Sequence, residues 1–418
     1  MHSCFRRAEA RHTSAAFFRH AGSRYLAAVA LSLAGIVCSH AAIAQAFSVV
    51  PRTLAWSGTS DDPSYASEWS NGSIVMPFVS SSVHDQAARR INEALYLELV
   101  GMPAPGGSTG KFRLPDGSEH LSDDSLLNST ASLGFTVGRN DARVLSLAIN
   151  HEGCGAYCEE WTDSVHFSAV TGAAFTSEDI IFPEARRTIV RMVQQQRTRE
   201  YTALLKQLRE QRRTLPATGA PAKAKEAQAD LDERIGFNEQ CLAGATEASN
   251  DAARDGDDSF GYLKLSIPDS DSVAFVAERC SNHGMRALDD VGDVTWRISN
   301  DKLRSYLSAY GLAVFFGDDA PAMPPTLAGQ ILHGRIGSAP ITLRLSKERD
   351  SSSVTAVYFY DKYRRPIALS GTREGQRLQL SNGKEGADLE TFELNSQGNG
   401  YSGVWHKQQQ QLAVTVGF

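Results

Sequence analysis

Asn150-His151-Glu152-Gly153-Cys154-Gly155-Ala156-Tyr157-Cys158-Glu159-Glu160-Trp161 lies between two strand-like runs, residues 144–149 and 164–169. Apolar and β-branched residues dominate both runs, so the stretch reads as the loop joining neighbouring strands of a sheet. It holds two cysteines beside a histidine and three carboxylates. Residues so placed invite either a metal or catalytic site or a covalent staple, and the redox compartment decides between them.

The N-terminus sets that compartment. Arg6, Arg7, Arg11, Arg19 and Arg24 form a basic region, and residues 25–37 are an unbroken run of apolar and small residues. Small-residue cleavage patterns follow at Ala42-Ile43-Ala44 and Ala44-Gln45-Ala46, the order expected of a secretory signal. The other reading, an uncleaved anchor, requires about 20 apolar residues. The run is shorter than that, and His40 and Gln45 interrupt its extension. Val37 occupies the small-residue position that a lipoprotein site at Cys38 would need. Residues 1–46 are therefore expected to be a signal peptide, and the mature chain is expected to be periplasmic or secreted. No later segment approaches a membrane-spanning length.

The 418-residue chain carries a net charge of −6, and 42% of its residues are hydrophobic. Its length implies two or three domains, and its composition allows a sizeable core. The first 46 residues hold five Arg and one Glu, so their removal leaves a mature charge near −10. That balance argues against a nucleic-acid partner and would attract a basic one. After export Cys154, Cys158, Cys241 and Cys280 remain. Four cysteines in an oxidising compartment read as two disulfides with three possible pairings. Cys154–Cys158 with Cys241–Cys280 is favoured, because a glycine-containing four-residue step can close locally.

The remaining chain reads as an α+β module followed by a small antiparallel β-barrel or sandwich. Residues 47–72, rich in Ser, Asp, Pro and Gly, are expected to be an arm. A strand over 74–79 precedes an amphipathic helix over 83–100, in which Ala88, Ile91, Leu95 and Leu99 recur at helical spacing. Residues 108–130 are polar and read as a loop with a short helix. Strands then cover 133–137, 144–149 and 164–169. A helical hairpin of coiled-coil character is inserted at about 184–244 and broken by the proline-containing stretch 215–221. Residues 250–259 are acidic, and strands resume at 262–267 and 273–277. The module is expected to span 73–318, with a proline-rich linker at 319–328. From 329 to 418 the period becomes two: Ile341, Leu343 and Leu345, then Leu378 and Leu380, then Phe392 and Leu394, then Leu412, Val414 and Val416. About eight short strands with turn chemistry between them imply the barrel or sandwich.

Ile74-Val75-Met76-Pro77-Phe78, leading into Ala87-Ala88-Arg89-Arg90-Ile91-Asn92-Glu93-Ala94, resembles the first half of an exported bacterial module. Val144-Leu145-Ser146-Leu147, the cysteine stretch, Val165-His166-Phe167-Ser168-Ala169-Val170-Thr171-Gly172 and Asp179-Ile180-Ile181-Phe182 resemble its second half. The module occurs in RsiV-like anti-sigma factors, which sense lysozyme, and beside the catalytic domain of PdaC-like peptidoglycan deacetylases. The resemblance covers roughly 70–316, whereas the helical hairpin and the cysteine pair are additions to the pattern. It implies an α+β envelope domain for recognition and transfers no contact residue to this chain. The barrel region, with Tyr358-Phe359-Tyr360-Asp361-Lys362-Tyr363, resembles domains of uncharacterised exported bacterial proteins.

His151, Glu152 and His166, with the two nearby cysteines, form the metal alternative. Cys-x₃-Cys is a weak zinc signal, and ligating thiolates would have to escape oxidation. A redox pair would show Cys-x-x-Cys at a helix start. Glu159 and Glu160 read as solvated, and His283 lacks a nucleophile motif beside it. Tyr157 and Trp161 are candidate binding aromatics. Tyr358, Tyr360, Tyr363 and Trp405 are candidates for a ligand mouth on the barrel, although a small barrel more often fills its interior. The segments are too short for an outer-membrane barrel, which needs strands of about 9–11 residues.

These readings converge on a non-enzymatic recognition protein without a cofactor, whose partner is a cell-wall component or a basic lysozyme-like protein. Two alternatives stand beside it: a metal-dependent envelope hydrolase centred on 151–166, and a carrier of a small ligand in the barrel. N-terminal sequencing of the exported chain is expected to begin at Gln45 or Phe47; retention of Met1 would indicate an anchor instead.

Overall fold

A computed structural model describes residues 45–57, 71–107, 130–154, 158–215, 221–251, 258–318, 323–346 and 353–418. The expected signal at 1–44, the 108–129 loop, Tyr157 and linker residues 319–322 lie outside the described residues, as do 58–70 of the expected arm.

The arm's beginning is instead a strand. β1 (Ser48–Ser57) pairs along its whole length with β2 (Asn71–Ser80), from Ser48↔Ser80 to Ser57↔Asn71. Pro51 stands opposite Pro77. Proline cannot donate to a ladder but is tolerated on strand edges, and a two-stranded ribbon consists of edges. α1 (Asp85–Val100) follows and ends at Gly101, whose backbone is left-handed. Its Ile91 and Leu95 are buried, as the periodicity implies.

β3 (Thr130–Asn140), β4 (Val144–Cys154), β5 (Cys158–Ser168) and β6 (Ala174–Phe175) form an antiparallel sheet in sequence order. β4 and β5 are longer than their apolar runs suggest. The cysteine stretch is therefore mostly strand rather than loop, with Cys154 in register opposite Cys158. Alternation puts Leu145, Leu147 and Ile149 into a core shared with α1, whereas Val144 joins a second core on the other face.

α2 (Ser177–Ile180), α3 (Pro183–Thr214) and α4 (Pro221–Asp251) come next. α3 starts on a proline, where a missing N–H is harmless, and buries Ile189, Val190 and Val193 in the second core. α4 runs further than the expected hairpin and carries Cys241. β7 (Lys264–Ser266), β8 (Ser272–Ala277) and β9 (Val294–Ser299) make a three-stranded sheet. α5 (Asn300–Leu303) and α6 (Ala309–Phe316) complete the module. A Cys241–Cys280 disulfide joins α4 to the segment after β8, as the sequence implies, with Cα atoms 5.8 Å apart. Cys158 is also disulfide-bonded.

β10 (Ile331–Ile336), β11 (Ala339–Leu345), β12 (Ser353–Tyr360), β13 (Ile367–Glu374), β14 (Arg377–Ser381), β15 (Glu390–Gln397), β16 (Gly400–Lys407) and β17 (Gln410–Gly417) close into an antiparallel barrel. The alternating residues point inward: Leu343, Leu378, Leu380, Phe392, Leu394, Val414 and Val416 share one core. Strong coiling brings backbones together at Gly371 and Gly403, where an added Cβ would lie 1.8 Å from the Gln379 carbonyl oxygen and 1.9 Å from that of Glu393. Only glycine fits such approaches. Outward-facing Phe359 packs into the α1 core. The Gln330 side chain accepts from the Ala174 N–H at 3.1 Å and donates to the Ala174 carbonyl at 2.7 Å, extending the ladder beyond β6. No helix among the described residues is long and apolar enough to cross a membrane.

The Cys241–Cys280 bridge closes a sequence separation of 39 residues. Cys280→Ser is expected to lower the unfolding free energy by about 2–4 kcal/mol in urea denaturation. An unchanged midpoint would show that the bridge constrains nothing the fold does not already hold.

Candidate functional site

The outer half of the β4–β5 hairpin, with β3 alongside β4, opens towards solvent on the β5 side. Residues 166–168 of β5 are buried, whereas 160–162 are exposed. On one face of this hairpin His151 stands in register opposite Trp161. Their rings are parallel within 1°, with centroids 5.0 Å apart. Trp161 remains 41% exposed. The pair forms a flat aromatic surface held by backbone register.

Asp163 organises its edge. It accepts from the Trp161 indole N–H at 3.2 Å and from Lys264 at 3.1 Å, and lies 3.6 Å from His151 Nε2. Lys264 also reaches Glu278 at 2.8 Å. Burial lowers the His151 pKa; Asp163 opposes the shift and Lys264 adds to it. The imidazole under the indole is therefore neutral near pH 7. Nearer the tip, Glu159 lies 3.2 Å from His283 Nδ1 and accepts from Arg286 at 3.5 Å. Glu159 is half in solvent, 42% exposed, and still ties the hairpin to the 3₁₀ turn His283–Leu288 after Cys280. Ser132 donates to Glu152 at 3.0 Å.

The metal alternative does not survive the register. His151 pairs with Trp161 and Ser146 pairs with His166, so the two histidines lie five registers apart on opposite faces. At about 3.4 Å per residue that is roughly 17 Å. Glu152 is adjacent to His151 and points to the other face. His166 is buried, with Nδ1 3.0 Å from Ser146 Oγ and Nε2 3.1 Å from the Leu265 carbonyl oxygen. Both ring nitrogens are already engaged. Among the described residues, no group of three or more His, Cys, Asp or Glu is placed to hold a metal.

Nor do the barrel aromatics line a mouth together. Tyr358 is fully buried inside and donates to Glu390, while the Trp405 indole donates to the same carboxylate at 3.3 Å. Both fill the interior. Tyr360 stacks edge-on against Tyr358 at 5.7 Å, and Tyr363 lies on the surface beside Lys362. Glu390 has no counterpart among the sequence candidates. It is 5% exposed, sits in register opposite Lys407, and accepts from Lys407 at 2.8 Å. Burial pushes its carboxyl up, but hydrogen bonds from Lys407, Tyr358 and Trp405 outweigh that and hold it below the ordinary range. Burial and Glu390 both raise the Tyr358 hydroxyl. The available signal was a charged residue at the inward position of an alternating strand, two places before Phe392.

Neither family models nor curated proteins match the chain. Among solved structures it is similar to a member of the DUF3298 family from Bacteroides fragilis. The identity is 12% and the TM-score 0.35, covering 66% of this chain and 98% of that one. A likeness of that size decides neither fold nor function.

Burial depresses His166 to about 4 from an ordinary 6.5. The unfolded chain therefore takes up that proton first. Stability is complete above pH 6.5 and declines as the pH falls towards 4, by about 3 kcal/mol from this group. In pH-resolved denaturation, His166→Gln is expected to flatten this window. An unchanged slope would assign the pH dependence to other groups.

Proposed function

We propose that the chain is an exported recognition protein, related to the RsiV- and PdaC-like envelope modules, that binds a cell-wall glycan on the His151–Trp161 surface. The observation that carries this reading is the exposed indole, stacked 5.0 Å from His151 on the outer part of the β4–β5 hairpin. A fixed aromatic plane presents apolar area at little entropic cost, and a pyranose ring offers a matching face of C–H groups. Asp163, 47% exposed at its side chain, sits at the rim where a sugar hydroxyl would donate. The expected export signal and the module resemblance support a location beside such glycans. The mature charge near −10 supports the second partner, a basic lysozyme-like protein. That partner would use the rim charges more than the indole and would be lost in salt.

Co-sedimentation with purified peptidoglycan sacculi tests the reading. The native chain is expected to pellet with sacculi, and Trp161→Ala is expected to weaken binding about tenfold, the loss typical of a truncated aromatic anchor. Retention by immobilised lysozyme alone, abolished at high salt, would replace the glycan with the protein partner. Retention by neither would overturn the proposal.

A further inference from the structure

The barrel buries charge at both ends, and the two ends differ. At one, Glu390 faces inward and is neutralised by Lys407 across the ladder. At the other, where the β13–β14 and β15–β16 turns lie, Arg373 occupies an inward register. It shares the parity of buried Leu369 on β13 and pairs with buried Leu378 on β14. Its guanidinium donates to the hydroxyl of buried Tyr401 and lies 5.8 Å from that ring. Among the described residues no carboxylate forms an ion pair with it, and its side-chain hydrogen bond and ring contact are both to Tyr401. Arg377 and Glu393, on the outward parity of β14 and β15, pair with each other at 3.3 Å. A half-buried cation aimed at a neutral hydroxyl keeps most of its donors available, since a guanidinium carries five.

Those donors face a cleft of about 480 Å³ bounded by Met323, Pro324, Leu327, Gln376, Ser396 and Asn399. The volume is within the range of sites for small organic molecules. One wall is apolar, and the other offers amide and hydroxyl groups around the guanidinium. Below the cleft Leu378, Leu394 and Tyr401 belong to the packed interior. The ligand that fits this lining is short, amphiphilic and anionic.

We propose that the Arg373 end of the barrel binds a small carboxylate, seated head-in on the guanidinium with its apolar body against Met323, Pro324 and Leu327. Planar bidentate pairing is what guanidinium offers a carboxylate. The carboxylate belongs to a free organic acid or to the C-terminus of a short peptide. The site is on the barrel, independent of the hairpin surface and of the glycan reading.

Titration calorimetry on the full mature chain distinguishes these cases, with 3-phenylpropanoate, hexanoate and N-acetyl-alanyl-alanine each run beside its neutral primary amide. Saturable binding of the acids with weaker binding of the amides is expected. Preference for the dipeptide would identify a chain end, and preference for the free acids a small-molecule ligand. Arg373→Gln is expected to cost at least about tenfold in affinity for the acids, as loss of a charged hydrogen bond does, with no change for the amides. Gln376→Glu, at an exposed position, supplies a competing carboxylate and is expected to weaken acid binding even where Arg373→Gln does not fold. Equal binding of acid and amide, no binding of any probe, or acid affinity unaltered in a folded variant would overturn the proposal.

Discussion

A strand buried on both faces has no side to give to water, and the inner half of β4 is such a strand. Val144, Leu145, Ser146 and Leu147 are all 3% exposed or less. The α1 core lies on one face of the sheet it occupies and the second core, with α3 and β8, on the other. The constraint is severe for polar groups, because an unpartnered one there costs about 1–3 kcal/mol. Ser146 and His166 meet it together, and His166 reaches across to the Leu265 carbonyl of β7. A neutral imidazole thus connects the central sheet to the three-stranded one. Further out on the hairpin residues 160–162 are exposed, and the Trp161 indole stays 41% exposed there.

The barrel was legible because alternation survives any local irregularity: each inward Leu, Val or Phe named from the pattern reappears in the interior, apart from the exposed Leu412. The helical hairpin was legible for the analogous reason at period 3.6, and the Cys241–Cys280 pairing because one local bridge was favoured by spacing. β1 was not. Pro51 and Arg52 interrupt its apolar pattern, and only pairing with β2 shows that Arg52 sits in a buried position. The candidate site was half visible. Trp161 and His151 were both named, but not their stacking, since cross-strand pairing depends on where the hairpin turns. The same missing register made His151, Glu152 and His166 look convergent when they diverge.

Glu390 and Arg373 were hidden differently. Both sit where the alternation calls for an apolar side chain, and each is one charge among many in a strand's sequence. Only the strand pairing reveals that one has Lys407 opposite, while the other donates to a tyrosine hydroxyl. Charge placed inside a small barrel restricts how the core can repack, because every alternative register strands it. The interior therefore specifies its own pairing as well as filling its volume.

Closure also has a temporal side. The seam that completes the barrel joins β10 to β17, the first strand to the last, through pairs from His333↔Gly417 to Ile336↔Val414. A ribosome delivers these two segments in that order, with six strands between them. Until residues 410–417 are available, β10 lacks one neighbour and the inward leucines face an open, adhesive sheet. The barrel can thus mature only after the module has had time to fold, and in the interval its unpaired edge is the part of the nascent chain most exposed to misassociation. The docking of Phe359 onto the α1 core offers the incomplete sheet a folded surface on which to wait.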